Sequence, residues 1–352
     1  MRTLIFLALV ACSRAKPAAE SAAPLISTSA GEERHLSNVR QITNGGENAE
    51  AYFSADGRRL IFQSTRDGRT CDQQYTVNVD GTARPRRVST GTGKTTCGYF
   101  YDRDRRIFFA STHAADTACP PRPDPSKGYV WGLDPFDIYT ARADGSGLQR
   151  LTSYGVYTAE GTLSPDGRTI VFTSLKDGDL DIYTMGVDGS NLRRLTSAPG
   201  YDGGPFFSPD GARIVYRAWH PTDSAELGAY RDLLAQRMVR PNRMEIWVMN
   251  ADGSGQRQVT NLGGANFAPF FTPDGRRIIF SSNHRNPRGP QAQNFDLFLV
   301  DDDGSGLEQV TTSPEFDGFP QFSPDGRKLV WASNRHAARP HETNVFVADW
   351  RF

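Results

Sequence analysis

Three of the six histidines in this 352-residue chain, His113, His220 and His284, share one register: each stands four residues after the last aromatic of a short β-type run. Arg66, Lys176 and Arg335 hold the same place after three further runs. Imidazoles converging from three repeats would suit a transition metal, and the column as a whole would attract an anion; solvated loop starts are the plain alternative. A second column carries oxygen. Asn48, Thr95, Thr158, Asp202, Asn266 and Asp317 each precede a turn motif by six residues, and Glu50 and Glu160 lie two residues further on. Such oxygens could hold a hard cation such as calcium, or the polar groups of a ligand. They serve equally well to bind water and cap strand ends. Gly91-Thr92-Gly93-Lys94-Thr95-Thr96 imitates the tail of a phosphate loop, yet Val88 stands where the motif needs glycine and no helix follows, so no nucleotide site is expected. No G-x-S-x-G elbow or H-E-x-x-H pair occurs.

The columns exist because the chain repeats. Six turn motifs align: Ser54-Ala55-Asp56-Gly57, a degenerate Tyr101-Asp102-Arg103-Asp104, Ser164-Pro165-Asp166-Gly167, Ser208-Pro209-Asp210-Gly211, Thr272-Pro273-Asp274-Gly275 and Ser323-Pro324-Asp325-Gly326. Proline presets the first turn dihedral, aspartate bonds its own backbone and glycine accepts positive φ, so each motif reverses a strand. Each leads into a β-branched and aromatic run such as Ile170-Val171-Phe172 or Ile278-Ile279-Phe280, which reads as a buried strand. A third strand follows (Asp181-Ile182-Tyr183, Glu245-Ile246-Trp247), then an Asp-Gly turn and a short outer strand. Four antiparallel strands make a blade, and six blades make an all-β propeller. The last repeat supplies only three strands, while Val39-Arg40-Gln41-Ile42-Thr43 matches the fourth-strand pattern. The N-terminal strand is therefore expected to complete the last blade and close the ring. Equivalent positions on adjacent blades lie on the order of 10 Å apart, so convergence of a column demands long reach.

With F-S-P-D-G-R before I-V-F-x-S, and D-I-Y-x-x-x-x-D-G-S-x-x-x-x-L-T after it, residues 36–352 resemble the WD-like repeats of the TolB propeller family. Blade 2 is the weakest match, because Asp104 replaces the turn glycine. TolB carries an α/β domain ahead of its propeller, and a tether occupies that place here, so the resemblance is to the propeller alone. It implies binding of a protein or peptide in the cell envelope. The histidine column has a looser similarity to propeller lyases that act on acidic oligosaccharides.

Every long insertion falls in a loop between second and third strands: 114–135 in blade 2, 221–243 in blade 4, 285–294 in blade 5 and 337–343 in blade 6. These loops share one rim, which is accordingly expected to carry the binding face together with the channel mouth. Ala225, Leu227, Tyr230, Leu233, Leu234 and Met238 have helical spacing, which predicts a short helix lying over that rim as a lid.

Forty basic residues balance forty acidic ones, so no field draws the chain to nucleic acid. Arg2 and the apolar stretch Leu4–Ala11 read as a signal peptide over 1–11, too short to span a bilayer. Leu9-Val10-Ala11-Cys12 resembles a lipobox, with Cys12 as the acylated residue and 12–35 as a flexible tether. Ser13 after it implies the outer membrane, hence a periplasm-facing lipoprotein of a Gram-negative bacterium whose only membrane contact is its anchor. In that oxidising compartment Cys71, Cys97 and Cys119 permit one disulfide, with the pair left open. The expectation is a monomeric, non-enzymatic binding propeller, with no definite cofactor beyond a divalent cation, calcium or a transition metal, at one of the columns. A metal-dependent carbohydrate lyase using the histidines is the alternative, and a sensor or regulatory propeller of a separate enzyme is a third reading.

Overall fold

The structure, a computed structural model, describes residues 33–286 and 294–352. The expected signal peptide, Cys12, nearly all of the expected tether and the centre of the blade 5 insertion lie outside the described residues. The rest forms six four-stranded antiparallel sheets arranged as a six-bladed propeller. In blade 3, for example, Thr158–Leu163, Thr169–Ser174, Asp181–Gly186 and Arg193–Arg194 run from the inside out. The second strands are buried along nearly their whole length, because both faces of each sheet pack on neighbouring blades; Ile170, Val171 and Phe172 are typical. Among the described residues no helix is long and apolar enough to cross a membrane.

Ring closure follows the expected route. Leu36–Gln41 pairs antiparallel with Asn344–Trp350, the third strand of blade 6. One recurring clamp shows how faithfully this strand substitutes for a fourth strand. Thr196 Oγ accepts the Ile182 N–H (2.9 Å) and donates to Asp181 (3.4 Å). Thr152, Thr260 and Thr311 do the same in blades 2, 4 and 5. In blade 6 the threonine is Thr43, which accepts from Val345 N (2.9 Å) and donates to Asn344 (3.1 Å) across 301 residues of chain.

The degenerate turn of blade 2 has a physical reason. Gly57, Gly211, Gly275 and Gly326 each face the proline of the preceding blade's turn: Pro324, Pro165, Pro209 and Pro273. Between blades 1 and 2 that contact is replaced. Ala55 stands where proline would, and the Asp104 carboxylate accepts both the Ala55 N–H (2.7 Å) and the Asp56 N–H (3.0 Å). Proline has no N–H to give, so Ala55 and Asp104 depend on each other. Asp104→Gly is expected to cost about 1 kcal/mol, and Ala55→Pro alone to cost at least as much. The double variant should recover much of the loss in thermal denaturation, and strict additivity would contradict the pairing.

Candidate functional site

In five of the six blades the two columns read from the sequence meet within the blade, directly or through a serine. All six residues of the oxygen column are fully buried. Asn48 accepts from Arg66 (2.8 Å), Asp202 bonds His220 (3.1 Å), and Asp317 takes Arg335 through both its oxygens (3.1 and 2.6 Å). Elsewhere a serine mediates. Thr158 bonds Ser174 (2.8 Å), which accepts the Lys176 N–H; Asn266 bonds Ser282 (2.5 Å), which meets His284 Nδ1 (2.9 Å). His113 Nδ1 meets Ser111 (2.8 Å), and Thr95 bonds the carbonyl of Asp72. Burial pushes the Asp202 and Asp317 carboxyls up even against His220 and Arg335. Outside blade 2 these residues tie each blade's inner strand to the end of its second strand. The structure does not gather His113, His220 and His284 into one site, and each packs on the third-strand aromatic of its own blade: Tyr139, Trp247 and Phe298. Among the described residues no three His, Cys, Asp or Glu side chains come together as metal ligands would.

What does converge is set by a β-bulge. The register of every inner strand slips at the same place, for instance between Ala159 and Thr162. The residue four before each turn serine sits there at positive φ: Glu50, Cys97, Glu160, Gly204, Ala268 and Phe319, with φ between 50° and 59°. A bulge re-aims side chains and stores local strain, and here it turns these six toward the axis. All six line one small cavity, with room of about 20 Å³ for the centre of a water molecule. The structure therefore brings Glu50 and Glu160 together, beside Cys97, whose thiol donates to Glu50 (2.9 Å). Gly204 leaves the gap that Arg217 fills, since a side chain at Gly204 would overlap the guanidinium. Arg217 pairs with Glu160 and donates to the Tyr201 hydroxyl (2.7 Å).

Glu50 has no ion pair of its own among the described residues, although the Arg217 charge still draws its carboxyl down. Burial, aided by Glu160, pushes its carboxyl up against the opposing hydrogen bonds from Cys97 and Thr96. The folded protein thus binds this proton more tightly than the unfolded chain does. Its contribution to stability is complete below the unfolded carboxyl value of about 4.3 and is lost as pH rises through the folded value. Glu50→Gln should raise the Tm at pH 8 by a few degrees and change it little at pH 4; an equal shift at both would contradict a buried, proton-binding Glu50.

The next ring toward the turns, two residues before each turn serine, is Tyr52, Tyr99, Thr162, Phe206, Phe270 and Gln321. Tyr52 of blade 1 touches Phe206 of the opposite blade 4 (5.8 Å between ring centres), and Phe206 touches Phe270 (5.2 Å). Gln321 of blade 6 donates to the Tyr99 hydroxyl of blade 2 (3.0 Å). These contacts form an aromatic septum across the channel. On its turn side lies a funnel of about 960 Å³ that takes lining from all six blades. Tyr99, Phe206, Phe270 and Gln321 contribute to its floor, and Pro165, Pro209 and Pro324 stand exposed on its rim with Arg103 and Asp166.

The insertion side is covered. The blade 2 and blade 4 insertions pair with each other as a two-residue ribbon, Trp131–Gly132 against Met238–Val239. Trp131 stacks over Arg217 (5.1 Å) and meets Tyr201 and Phe267 edge-on. The expected helix is present as Ser224–Ala235, capped by Asp223, and Tyr230 packs beneath it with Tyr157, Tyr201 and Met244. The sequence ruler placed the insertions on one rim. That they meet above blade 3 and cover the channel was not visible, because nothing local in either segment names its partner.

A family profile described as the TolB beta propeller domain matches residues 133–227 and 234–341, more than half of the chain. Among curated proteins, an uncharacterised Agrobacterium fabrum protein, Atu1656, is 36% identical over 27% of this chain and 30% of its own length. A protein TolB homolog from Chlorobium luteolum is 26% identical over 30% of this chain and 31% of its own. The chain thus spans under a third of the length of these curated relatives in the matched regions. The solved structure of TolB from Acinetobacter baumannii superposes with a TM-score of 0.56 at 17% identity, covering 84% of this chain and 64% of that one. An oligogalacturonate lyase in complex with manganese gives 0.51 at 13%, covering 94% and 98%. At such identities both show the fold alone.

Proposed function

Because this chain belongs to the TolB β-propeller family, we propose that it is a non-enzymatic binding propeller of the cell envelope that receives a protein or peptide at the open funnel on its turn side. The observation that carries this reading is the contrast between the two ends of the channel. One end is a concave cavity of about 960 Å³ with an aromatic floor, a size and character suited to an inserted peptide segment or loop. The other is roofed by Trp131 and the paired insertions. The sequence alone pointed to the insertion-bearing rim as the binding face; on the present reading those insertions act as a lid that backs the channel. Export and acylation at Cys12 remain part of the proposal, resting on the lipobox.

The test is co-isolation from envelope extracts with the full chain, the exposed double variant Pro165→Glu/Pro209→Glu, and Gln236→Glu on the insertion side. A partner captured by the wild type and by Gln236→Glu, but at least tenfold weaker with the funnel variant, supports the reading. Loss only with Gln236→Glu would overturn it.

A further inference from the structure

Three cysteines lie among the described residues, and none is bonded to another there. Their surroundings differ. Cys97 is buried in the channel with its thiol on Glu50 (2.9 Å), and burial together with that carboxylate holds the thiol well above its usual range. Cys71, in the loop between the second and third strands of blade 1, and Cys119, in the blade 2 insertion, are both half-buried. Cys119 is close enough to Cys71 to help push its thiol up.

Backbone contacts hold these segments together independently of the sulfurs. Gly93 is the hub: its N–H donates to Thr117 O (2.7 Å), and its carbonyl accepts from the Cys71 thiol (3.2 Å) and the Gln73 amide (2.7 Å). Gly93 has φ +61°, and a side chain there would press on the backbone of His113. This explains glycine in the stretch that imitates a phosphate loop. Two residues past Thr117 comes Cys119, and Arg122 then anchors the insertion to Glu47 of blade 1 (2.8 Å). Cys119 also lines a surface groove of about 410 Å³, open to a reagent from outside.

We propose that Cys71 and Cys119 are the disulfide pair of this chain, stapling the blade 2 half of the channel lid to blade 1, with Cys97 remaining a thiol. The inference rests on the envelope reading for its oxidant, a disulfide donor of that compartment. One cysteine thiolate attacks the donor disulfide and expels a donor thiolate. The other cysteine, on losing its proton, attacks the mixed disulfide and expels the second. Two protein thiols and one donor disulfide become one cross-link and two donor thiols, with two electrons passing to the donor. Burial, then Cys119 and Asp72, push the Cys71 thiol up to about 12, which makes Cys71 a poor first attacker, while Cys119 lines the groove through which a donor would arrive.

The experiment is peptide mapping of the reduced, purified full chain after equilibration with oxidised glutathione, with free thiols alkylated under native conditions and then after denaturation. The expected result is a single cross-link joining Cys71 to Cys119, with Cys97 alkylated only after denaturation. Oxidation should raise the Tm by about 5 °C, and Cys71→Ser/Cys119→Ser should fold yet show no such rise. A cross-link containing Cys97, or no cross-link in chain that keeps its folded Tm, overturns the proposal. Mapping the chain recovered from the envelope separates the two readings: reduced cysteines there, with the pair forming in vitro, would support the pairing and count against export.

Discussion

Arg217→Met is expected to destabilise the propeller by about 3–5 kcal/mol, the scale for stripping one partner from a buried ion pair. Arg217 is 7% exposed and reaches the axis through the space that Gly204 leaves open. Burial pulls its guanidinium down, but Glu160 and Tyr201 more than offset this and raise it. Without it, Glu160 keeps the Gly204 N–H (2.8 Å) and Thr173 (2.7 Å) but faces Glu50 with no countercharge. The double variant Arg217→Met/Glu160→Gln should regain most of the loss, since a neutral amide costs less to bury than a lone carboxylate. Denaturant melts of the four proteins check this. Additive losses would mean that Arg217 acts through packing on Trp131 and Tyr201 alone.

Removing residues 33–43 should be more damaging still. Leu36 and Val39 are buried between blades 5 and 6, and Ile42 between blades 6 and 1, and each contributes about 1.5–3 kcal/mol by area. Glu33 pairs with Arg335 (2.5 Å), and His35 stacks on Trp350 and bonds Arg351 O (2.6 Å). Their sum is comparable to the whole stability of an ordinary domain, about 5–15 kcal/mol. The deletion would also leave Asn344–Trp350 as an open, apolar edge, a template for pairing with other chains. The expected outcome is soluble aggregate or insoluble protein by size exclusion, with a synthetic 33–43 peptide added during refolding restoring part of the monomer. A monomeric deletion variant with a Tm close to the wild type would show that the ring does not need this strand.

Much of this architecture was legible because the turn motif serves as a ruler. It counts the blades, assigns the N-terminal strand to blade 6 (expected over 39–43, observed at Leu36–Gln41) and separates the loops by rim. Helical spacing likewise found the helix, observed as Ser224–Ala235, but carried it on to Met238, which instead pairs in the ribbon. The site was less legible, for a definite reason. The column six before the turn serine is where the inner strand begins, and its members face their own second strand, as Asn48 does Ser64 (2.8 Å). Only past the bulge do side chains enter the channel. The positions four and two before the serine, such as Glu160 and Phe206, therefore make the chamber and the septum. Both columns can be counted on the same ruler, but a bulge at a non-glycine residue leaves no mark in composition. The same holds for Asp104, which looks like a decayed glycine until its bond to Ala55 is seen.

The central claim is that the partner enters by the turn-side funnel while the insertion side stays covered. Site-specific photo-crosslinking in living cells tests it most directly, with the reactive residue placed singly at Pro165, Pro209, Asp116 or Gln236, all exposed. The account predicts one shared adduct from Pro165 and Pro209 and none from Asp116 or Gln236. An adduct confined to Asp116 and Gln236 would contradict it.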